Sequence, residues 1–264
     1  MPLLDPALLR PLLGDFANRF DVDALASCDS TSSELLRRAS AGAPSGSVVV
    51  ADVQHAGRGR RGRHWLSAPD DSLTFSLLWR FSGNALQLSG LSLAVGVALA
   101  RALAGLGARG VCLKWPNDVL LRQEGEFAKL AGILIELATD RRGTQAVIGI
   151  GLNLRAPEGD LGQPVAGLAD ALPGPLPERH ALLAALLAEL ARVLEAFTVN
   201  GFSGLKMDWQ QLHAWQGEPV RVVEDGREWL AGVCLGADDD GSLLVQSERG
   251  LERVLAGDVS LRRA

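Results

Sequence analysis

The sequence predicts an α+β fold, in which a mixed or antiparallel sheet is flanked by helices and followed by a small β-rich domain. In the first part of the chain, predicted strands come in pairs between helices instead of alternating with them one by one. After residue 216, no segment keeps a helix-length apolar period, and only short alternating runs remain. The 264 residues are enough for one medium domain and one small domain.

The elements of the first part follow from the spacing of apolar residues. Helical spacing predicts helices over residues 8–20, 33–39, 88–106, 177–197 and 202–213. β-Branched or alternating apolar runs predict strands over residues 47–53, 72–79, 111–115, 119–121, 129–137 and 146–154. The polar residues from Ser30 to Ser33 offer N-caps for the second helix, and Gly149 and Gly151 interrupt the last strand.

The β-rich tail is predicted to be a second domain. Its short alternating runs are separated by turn signals at Asp225-Gly226, at residues 238–241 and at Arg249-Gly250. Such turns between strands of about five or six residues are typical of a small barrel built from hairpins. The sequence therefore divides into a domain of residues 1–216 and a domain of residues 217–264.

Composition excludes several classes of protein. Apolar residues make up 47% and charged residues 22% of the chain, the balance of a globular protein with a buried core. The formal net charge of −5 argues against a dedicated nucleic-acid binder, because binding to the phosphate backbone needs a broad basic surface. The three cysteines are far apart, and neither a secretory signal nor a membrane span is recognisable. We therefore expect a soluble cytoplasmic protein.

The most informative segment is a loop rich in arginine and glycine. Residues 57–63 consist of three glycines and four arginines, and Trp65 follows closely. Gly57, Gly59 and Gly62 match a dinucleotide-binding pattern, but no helix start follows Gly62, so that interpretation fails. Glycines let the backbone fold over a ligand, and guanidinium groups suit phosphate and carboxylate. A solvated basic patch or a nucleic-acid patch would explain the loop equally well.

Three further segments are candidates for a binding site, although each also has a purely structural explanation. Residues 114–118 are Lys-Trp-Pro-Asn-Asp at a strand end, which turn chemistry alone explains as an Asn-Asp turn after proline. Lys129 begins an otherwise apolar strand, where a lysine commonly extends its ammonium group to solvent. Asn153 follows Gly149 and Gly151, and glycines there are also typical of a bulged strand.

Taken together, these segments resemble the biotin protein ligase family. The arginine-glycine loop combined with the Lys-Trp-Pro-Asn-Asp run carries most of this resemblance. Six segments match the family in order and at similar intervals, at residues 29–31, 51–54, 57–65, 114–118, 129–136 and 148–153. The resemblance implies a class II synthetase-like catalytic domain and, in residues 217–264, a small C-terminal SH3-like β-barrel.

The activity that the resemblance implies is that of an ATP-dependent ligase. Such an enzyme forms biotinyl-5′-AMP from biotin and ATP with Mg²⁺, and transfers the biotin to a lysine of a biotin carboxyl carrier protein. The carrier belongs to acetyl-CoA carboxylase or to a similar biotin-dependent enzyme. No helix-turn-helix segment is recognisable before residue 27, so the resemblance is to the monofunctional type without an N-terminal DNA-binding domain. We expect the protein to bind neither a specific DNA sequence nor a membrane. The sequence leaves open whether it forms a homodimer.

The resemblance also implies roles for individual residues. Catalytic roles fall to Lys129, Arg58 and Arg60. Biotin-binding roles fall to Ser30, Thr31, Ser32, Gln54, Arg58, Gly59, Arg60, Lys129 and Gly132. Nucleotide-binding roles fall to Arg60, Arg61, Trp65, Lys114, Asn117, Lys129 and Asn153. The metal ligand is Asp118.

Two other functions compete with this one. Lipoate ligases and octanoyl transferases have a related fold, but the arginine-glycine loop and the Lys-Trp-Pro-Asn-Asp run argue against them. A non-enzymatic nucleic-acid-binding module would use the arginines of residues 58–63 and the β-rich tail, and would bind generic DNA or RNA without ATP. The acidic total charge argues against that module.

Overall fold

The computed structural model describes residues 2–140, 143–159, 162–224, 226–257 and 259–264. Its two sheets correspond to the two parts that the sequence distinguishes, with seven strands in the first part and five in the second. Asp225, the first residue of one predicted turn, lies outside the described residues.

The helices and strands are close to those expected, apart from the N-terminus. The helices are α1 Pro6–Leu12, α2 Thr31–Ser40, α3 Leu91–Gly105, α4 Arg179–Asn200 and α5 Lys206–Leu212. The strands of the first sheet are β1 Asp21–Cys28, β2 Ser47–Gln54, β3 Ser72–Phe81, β4 Val111–Lys114, β5 Asp118–Gln123, β6 Glu126–Asp140 and β7 Gly143–Asn153. The strands of the second sheet are β8 Pro219–Glu224, β9 Arg227–Ala237, β10 Leu243–Ser247, β11 Gly250–Val254 and β12 Val259–Arg263. Short 3₁₀ helices precede α3 and α5, at Ala85–Leu88 and Phe202–Leu205.

The large sheet is mixed and has the strand order β1-β2-β3-β7-β6-β5-β4. β1 and β2 run parallel, and the other neighbouring strands are antiparallel. Val49 of β2 packs with α2, whereas its neighbours Val48 and Val50 belong to the main core on the opposite face, with α3 and α4. The predicted α+β class, with helices flanking a mixed sheet, is confirmed.

The N-terminal segment differs from the expected helix over residues 8–20. α1 ends at Leu12 and a 3₁₀ turn follows, because Gly14 adopts a left-handed φ of 53° that a continuing helix does not allow. Residues 21–28 then form β1, which the sequence does not predict. β1 lies at the sheet edge and is mostly half-buried, so it lacks the apolar run of a central strand.

The C-terminal sheet is open. Its strand order is β11-β10-β9-β8-β12, and all neighbouring strands are antiparallel. β12 pairs with β8 along its length, and among the described residues the outer strands β11 and β12 do not pair with each other. The prediction of a small domain of short, hairpin-linked strands is therefore confirmed, and the SH3-like barrel that the sequence predicts is not closed in the structure.

The two parts of the chain share one hydrophobic core. Val220 of β8 and Cys234 of β9 belong to the same cluster of buried side chains as α3 and α4. The turn between β9 and β10 also reaches the first part, where the Trp115 indole N–H donates to the Gly241 carbonyl at 3.0 Å. The domain boundary after residue 216 stays a prediction, since the core extends across it.

One helical stretch, Ala85–Gly105, is long and apolar enough to cross a membrane by length and composition. Within its apolar window, 67% is buried inside the protein. α3, which forms most of this stretch, packs against α4 and the large sheet. It is thus a core helix, as its sequence predicts.

A buried histidine connects the end of α5 to both sheets. The His213 Nδ1–H donates to the Leu113 carbonyl at 3.1 Å, and its Nε2 accepts from the Cys234 thiol at 3.2 Å. Burial lowers the pKa of His213 to about 4, although the bond to Leu113 opposes the change. Burial also raises the pKa of Cys234 to about 11, so both groups are neutral near neutral pH.

Stability should therefore depend on His213 at acidic pH. Unfolding raises its pKa from about 4 to 6.5, so the unfolded chain binds an extra proton in this window and stability falls as the pH falls. At pH values below the folded pKa of about 4, the loss of unfolding free energy should reach about 3 kcal/mol. His213→Gln should abolish this loss, as measured by urea unfolding across the pH range. His55→Gln, at an exposed histidine, is the control. Equal pH slopes for His213→Gln and the parent protein would contradict the prediction.

Candidate active site

Most of the predicted site residues line one cavity between the arginine-glycine loop and the middle strands of the large sheet. The predicted residues in its wall are Ser30, Thr31, Ser32, Gln54, Arg58, Gly59, Arg60, Trp65, Asn117, Lys129, Gly132 and Asn153. Arg61 lies instead in an adjacent cleft between the loop and the C-terminal domain. Lys114 and Asp118 are outside the wall, and Asp118 contacts Lys129 from the protein interior.

One end of the cavity is a cluster of buried hydroxyl groups at the N-terminus of α2. Ser30, Thr31 and Ser32 begin this helix and are at most 5% exposed. Gln54 ends β2, and its Oε1 accepts the Thr31 N–H at 2.8 Å. The Ser30 hydroxyl does not cap the helix. This end of the cavity therefore offers both donors and acceptors to a polar ligand.

Ser76 is a further member of this cluster and is not among the residues that the sequence predicts. Its Oγ lies 2.8 Å from Thr31 Oγ1 and 3.0 Å from Ser32 Oγ. Ser76 lies on the same face of β3 as Ser72 and Thr74, and all three are buried. Small polar residues at every second position of an apolar strand are the signal that could have identified this face.

The floor of the cavity is built from glycines on neighbouring strands. Gly132 of β6 and Gly151 of β7 are directly opposite each other, and the strands pair without a shift in register. A Cβ built on Gly151 would lie 2.5 Å from Trp65 Cζ2, and one on Gly132 would lie 3.1 Å from Trp65 Cζ3. A Cβ on Gly149 would collide with the Ser32 hydroxyl. These glycines allow close approach of side chains, and the alternative of a bulged strand is wrong.

Lys129 and Asp118 form an ion pair further along the cavity. The Asp118 carboxylate is 2.6 Å from Lys129 Nζ and 3.3 Å from Lys114 Nζ. Burial acts to raise the pKa of Asp118, but the two ammonium groups outweigh it and hold the pKa below its usual range. Lys129 Nζ also lies 5.8 Å from the centroid of the Trp65 ring. The cluster has two cations for one anion, so it attracts negative charge.

A bulge in β6 and an adjoining segment hold the backbone of Lys129. β5 and β6 pair Val119 with Ala131 but Leu120 with Lys129, which leaves Leu130 as the extra residue. The Lys129 N–H donates to the Pro164 carbonyl at 2.9 Å. Because its backbone is hydrogen-bonded on both sides, Lys129 is a fixed part of the cavity wall. It is not an edge residue that extends its ammonium group to solvent, which was the alternative explanation.

The arginine-glycine loop forms a short hairpin over the cavity. The Gly59 N–H donates to the Arg63 carbonyl at 2.7 Å, and the Trp65 N–H donates to the Gly57 carbonyl at 2.9 Å. Arg61 at the tip has a left-handed φ of 59°. The hairpin carries Trp65 onto the glycine floor, so the fold of the loop and the shape of the cavity depend on each other.

Two arginines of the hairpin connect it to the rest of the protein. Arg58 pairs with Glu136 of β6. Arg60 donates to Asn117 Oδ1 at 3.0 Å and also to the carbonyl of Gly257 in the C-terminal domain. Arg60 therefore lies where the hairpin, the Lys-Trp-Pro-Asn-Asp turn and the C-terminal domain meet.

Asn117 and Asn153 use their amide groups to hold backbone at the cavity. Asn117 Nδ2 donates to the Ile133 carbonyl at 2.7 Å, and Asn153 Nδ2 donates to the Ala166 carbonyl at 3.2 Å. The segment after β7 also lines the cavity through Pro157, Gln163 and Val165, which the sequence does not predict. The nucleotide-binding roles of both asparagines stay predictions.

Asp118 is the predicted metal ligand, and its surroundings limit that role. Both of its carboxylate oxygens face lysine ammonium groups. In the part of the chain that the structure describes, no group of three His, Cys, Asp or Glu side chains could hold a metal ion. A Mg²⁺ ion with Asp118 as its protein ligand would take most of its other ligands from nucleotide phosphates and water.

Comparison with known proteins identifies the family. Models of the Biotin/lipoate A/B protein ligase family and of the biotin protein ligase C terminal domain match residues 25–153 and 217–262. The bifunctional ligase/repressor BirA of Escherichia coli is 37% identical over 89% of this chain and 72% of its own length. The chain belongs to the biotin protein ligase family. Another relative, the biotin--[acetyl-CoA-carboxylase] ligase of Mycobacterium tuberculosis, is 36% identical over 98% of this chain and 95% of its own length.

Solved structures of biotin protein ligases have the same fold. The Aquifex aeolicus biotin protein ligase in complex with biotin and ATP is similar with a TM-score of 0.78 and 30% identity, covering 92% of this chain and 99% of that one. The apo structure of the A. aeolicus biotin protein ligase has a TM-score of 0.73 at 27% identity, covering 93% of this chain and all of that one. The similarity covers both the large sheet and the C-terminal sheet of this biotin protein ligase family member.

Gly151→Ala should destabilise the protein, because its methyl group would collide with the Trp65 indole on the cavity floor. Overpacking of this kind costs about 1–3 kcal/mol, to be measured by urea unfolding. Gly105→Ala is the matched control, since a Cβ there meets nothing within 4 Å and Gly105 lies in α3. That change should raise stability slightly, because alanine favours a helix over glycine. Unchanged stability of Gly151→Ala would show that Trp65 does not hold its place on the floor.

Proposed function

We propose that the chain is an ATP-dependent biotin ligase, which forms biotinyl-5′-AMP and transfers biotin to a lysine of a biotin carboxyl carrier protein. The observation that carries this proposal is the order of groups in the cavity. A hydroxyl cluster lies at Gly149, the Trp65 ring covers Gly151, and Lys129 is the next charged group. Biotin has the same order, with a polar ureido head, a compact apolar body and a terminal carboxylate.

The hydroxyl cluster is suited to the ureido head. A cyclic urea has two N–H donors and one carbonyl acceptor, and Ser30, Thr31 and Gln54 can supply partners of both kinds. Ser30 and Thr31 are buried and Gln54 is half-buried. A ligand without matching polar atoms would shield the remaining donors and acceptors from water, at a cost of about 1–3 kcal/mol for each group without a partner. The cluster therefore favours biotin over the hydrocarbon chain of octanoate or lipoate.

The first half-reaction brings two anions together. A carboxylate oxygen of biotin attacks the α-phosphorus of ATP, a mixed anhydride forms, and pyrophosphate leaves as its bond to the α-phosphorus breaks. Lys129 in the wall and Arg58 and Arg60 in the hairpin neutralise the negative charge that develops on the phosphate. Catalysis of this step depends largely on positive charges that are in place before the reaction begins.

The nucleotide occupies the side of the cavity where the hairpin, the Asn117 turn and the segment after β7 meet. Trp65 lies in the wall on this side, and Asn153 holds the segment in place. Arg61 lines the adjacent cleft, and Lys114 lies behind the wall beside Asp118. Mg²⁺, when bound at Asp118 and the phosphates, supplies further positive charge to the leaving pyrophosphate.

The second half-reaction transfers biotin to the carrier. The neutral amine of the acceptor lysine attacks the acyl carbon, its proton passes to solvent, and AMP leaves. The hairpin covers the cavity and keeps water from the anhydride. This reaction needs neither DNA nor a membrane, and one copy of the chain carries every group named. The protein acts in the cytoplasm.

A direct test combines the purified protein with Mg-ATP, a biotin carboxyl carrier domain and one of three acids, namely biotin, lipoate or octanoate. The expected outcome is an ATP-dependent mass increase of one biotinyl group on the carrier. Parallel reactions with lipoate and octanoate test the related acyl transferases, and binding of generic DNA without ATP tests the nucleic-acid module. Modification by lipoate or octanoate alone, or by none of the three, would overturn the proposal.

Lys129→Ala should slow biotin-dependent ATP–pyrophosphate exchange by about 10²–10³, the usual effect of removing one charged contact to a transition state. The fold should persist, because Asp118 keeps Lys114 as a partner. Lys206→Ala is the control, since this lysine pairs with Asp239 away from the cavity. Exchange at the parent rate in Lys129→Ala would rule out the assigned role.

Arg60→Gly should make the enzyme release its intermediate. A charge-assisted hydrogen bond contributes about 1.5–3 kcal/mol, and each 1.4 kcal/mol corresponds to about tenfold faster dissociation. The anhydride should still form at Lys129, escape, and acylate lysines of a bystander such as serum albumin. Arg249→Gly, at an exposed arginine of the C-terminal domain, should not label albumin. Loss of adenylation in Arg60→Gly, or labelling confined to the carrier, would show that Arg60 does not retain the intermediate.

A further inference from the structure

The chain after α5 joins the edge of the large sheet at a single point. His213 forms a single parallel bridge with Leu113 of β4. The Leu113 carbonyl accepts the Ala214 N–H at 2.8 Å as well as the His213 Nδ1–H at 3.1 Å. Two hydrogen bonds to one carbonyl fix the direction in which the next residue, Trp215, leaves this edge.

The Trp215 ring faces the ammonium group of Lys114. Lys114 Nζ lies 5.3 Å from the centroid of the ring. Phe127 packs against the same ring in an edge-to-face arrangement, and Trp215 is only 7% exposed. The indole nitrogen has no hydrogen-bond partner among the described residues. Packing therefore holds the ring, and a cation is the polar group against its face.

Lys114 has to share its nearest carboxylate. Asp118 lies 2.6 Å from Lys129 but 3.3 Å from Lys114. Burial lowers the pKa of Lys114, Asp118 acts to raise it, and the positive charges of Arg262 and Lys129 lower it further. An aromatic face attracts an ammonium group most strongly where both are removed from water. The Trp215 ring thus provides a second attraction, from a different direction, for the Lys114 ammonium group, which shares Asp118 with Lys129.

We propose that Trp215 is a positioning residue for the nucleotide half-reaction, and that its π face holds the Lys114 ammonium group where it attracts the phosphates of ATP. The proposal rests on the proposed ligase function. It concerns ATP and not biotin, because the hydroxyl cluster and the glycine floor are formed by α2, β3, β6 and β7, none of which contains Trp215 or Lys114.

The test compares Trp215→Leu and Trp215→Phe by ATP–pyrophosphate exchange. Trp215→Leu should raise the KM for ATP about tenfold and leave the KM for biotin unchanged, whereas Trp215→Phe should recover most of the loss because it keeps an aromatic face. Trp229→Leu is the control, since Trp229 lies in β9 of the C-terminal sheet and is 45% exposed. Equal increases in both KM values, or no recovery in Trp215→Phe, would indicate a general packing role and overturn the proposal.

A double-mutant cycle tests whether Trp215 acts through Lys114. In a Lys114→Met background, Trp215→Leu should add little to the KM for ATP, because the ammonium group that it would misplace is gone. A full, additive tenfold increase in that background would overturn the proposal. Exchange without dependence on biotin in the parent enzyme would instead sink the ligase function, so the two failures are distinguishable.

Fluorinated tryptophans provide a second measurement if Trp215→Leu does not fold. Successive fluorine atoms weaken the attraction of the ring face for a cation while its shape changes little. Site-specific incorporation of mono-, di- and trifluorotryptophan at position 215 should raise the KM for ATP stepwise, with an unchanged Tm. A KM for ATP that does not change along this series would overturn the proposal.

Discussion

Asp118 is buried between Lys114 and Lys129, and this one carboxylate has to balance two ammonium groups. A buried cluster with excess positive charge is costly unless other contacts stabilise it. The structure supplies them through two aromatic faces, with Trp65 near Lys129 and Trp215 near Lys114. The uncompensated charge is also what a carboxylate and a triphosphate require, so the cost of burying it and the attraction for the substrates have the same origin.

The cavity beside this cluster depends on what its strands lack. Glycines at opposite positions of β6 and β7 lower the sheet surface by one side-chain layer, and the arginine-glycine hairpin fills part of that space with Trp65. The same pairing that fixes the register of β6 and β7 also fixes the distance from the hydroxyl cluster to Lys129. Sheet register therefore sets the length of ligand that the cavity accepts.

The sequence is informative where the chemistry is local. The residues of the arginine-glycine hairpin and of the turn at Asn117 are contiguous, and their unusual composition identifies them as candidates from the amino-acid order alone. Ser76 and Trp215 escape sequence-based prediction because each reaches the site through contacts with residues far away in the chain. Strand β1 and the open C-terminal sheet escape it for a related reason. An edge strand has no strong apolar pattern, and closure of the C-terminal sheet depends on whether its two outer strands, β11 and β12, pair with each other.

The C-terminal domain contacts the active-site region mainly through groups that leave no signal in its own sequence. The carbonyl of Gly241 accepts from Trp115, and the carbonyl of Gly257 accepts from Arg60. A backbone carbonyl can make such a contact whatever the side chain, so the composition of this domain reveals only its strands and turns. The side chains of the predicted site form the recognisable sequence pattern, whereas the C-terminal domain contacts Trp115 and Arg60 through its backbone. Its influence on the site is thus a property of the fold and can be found only from the structure.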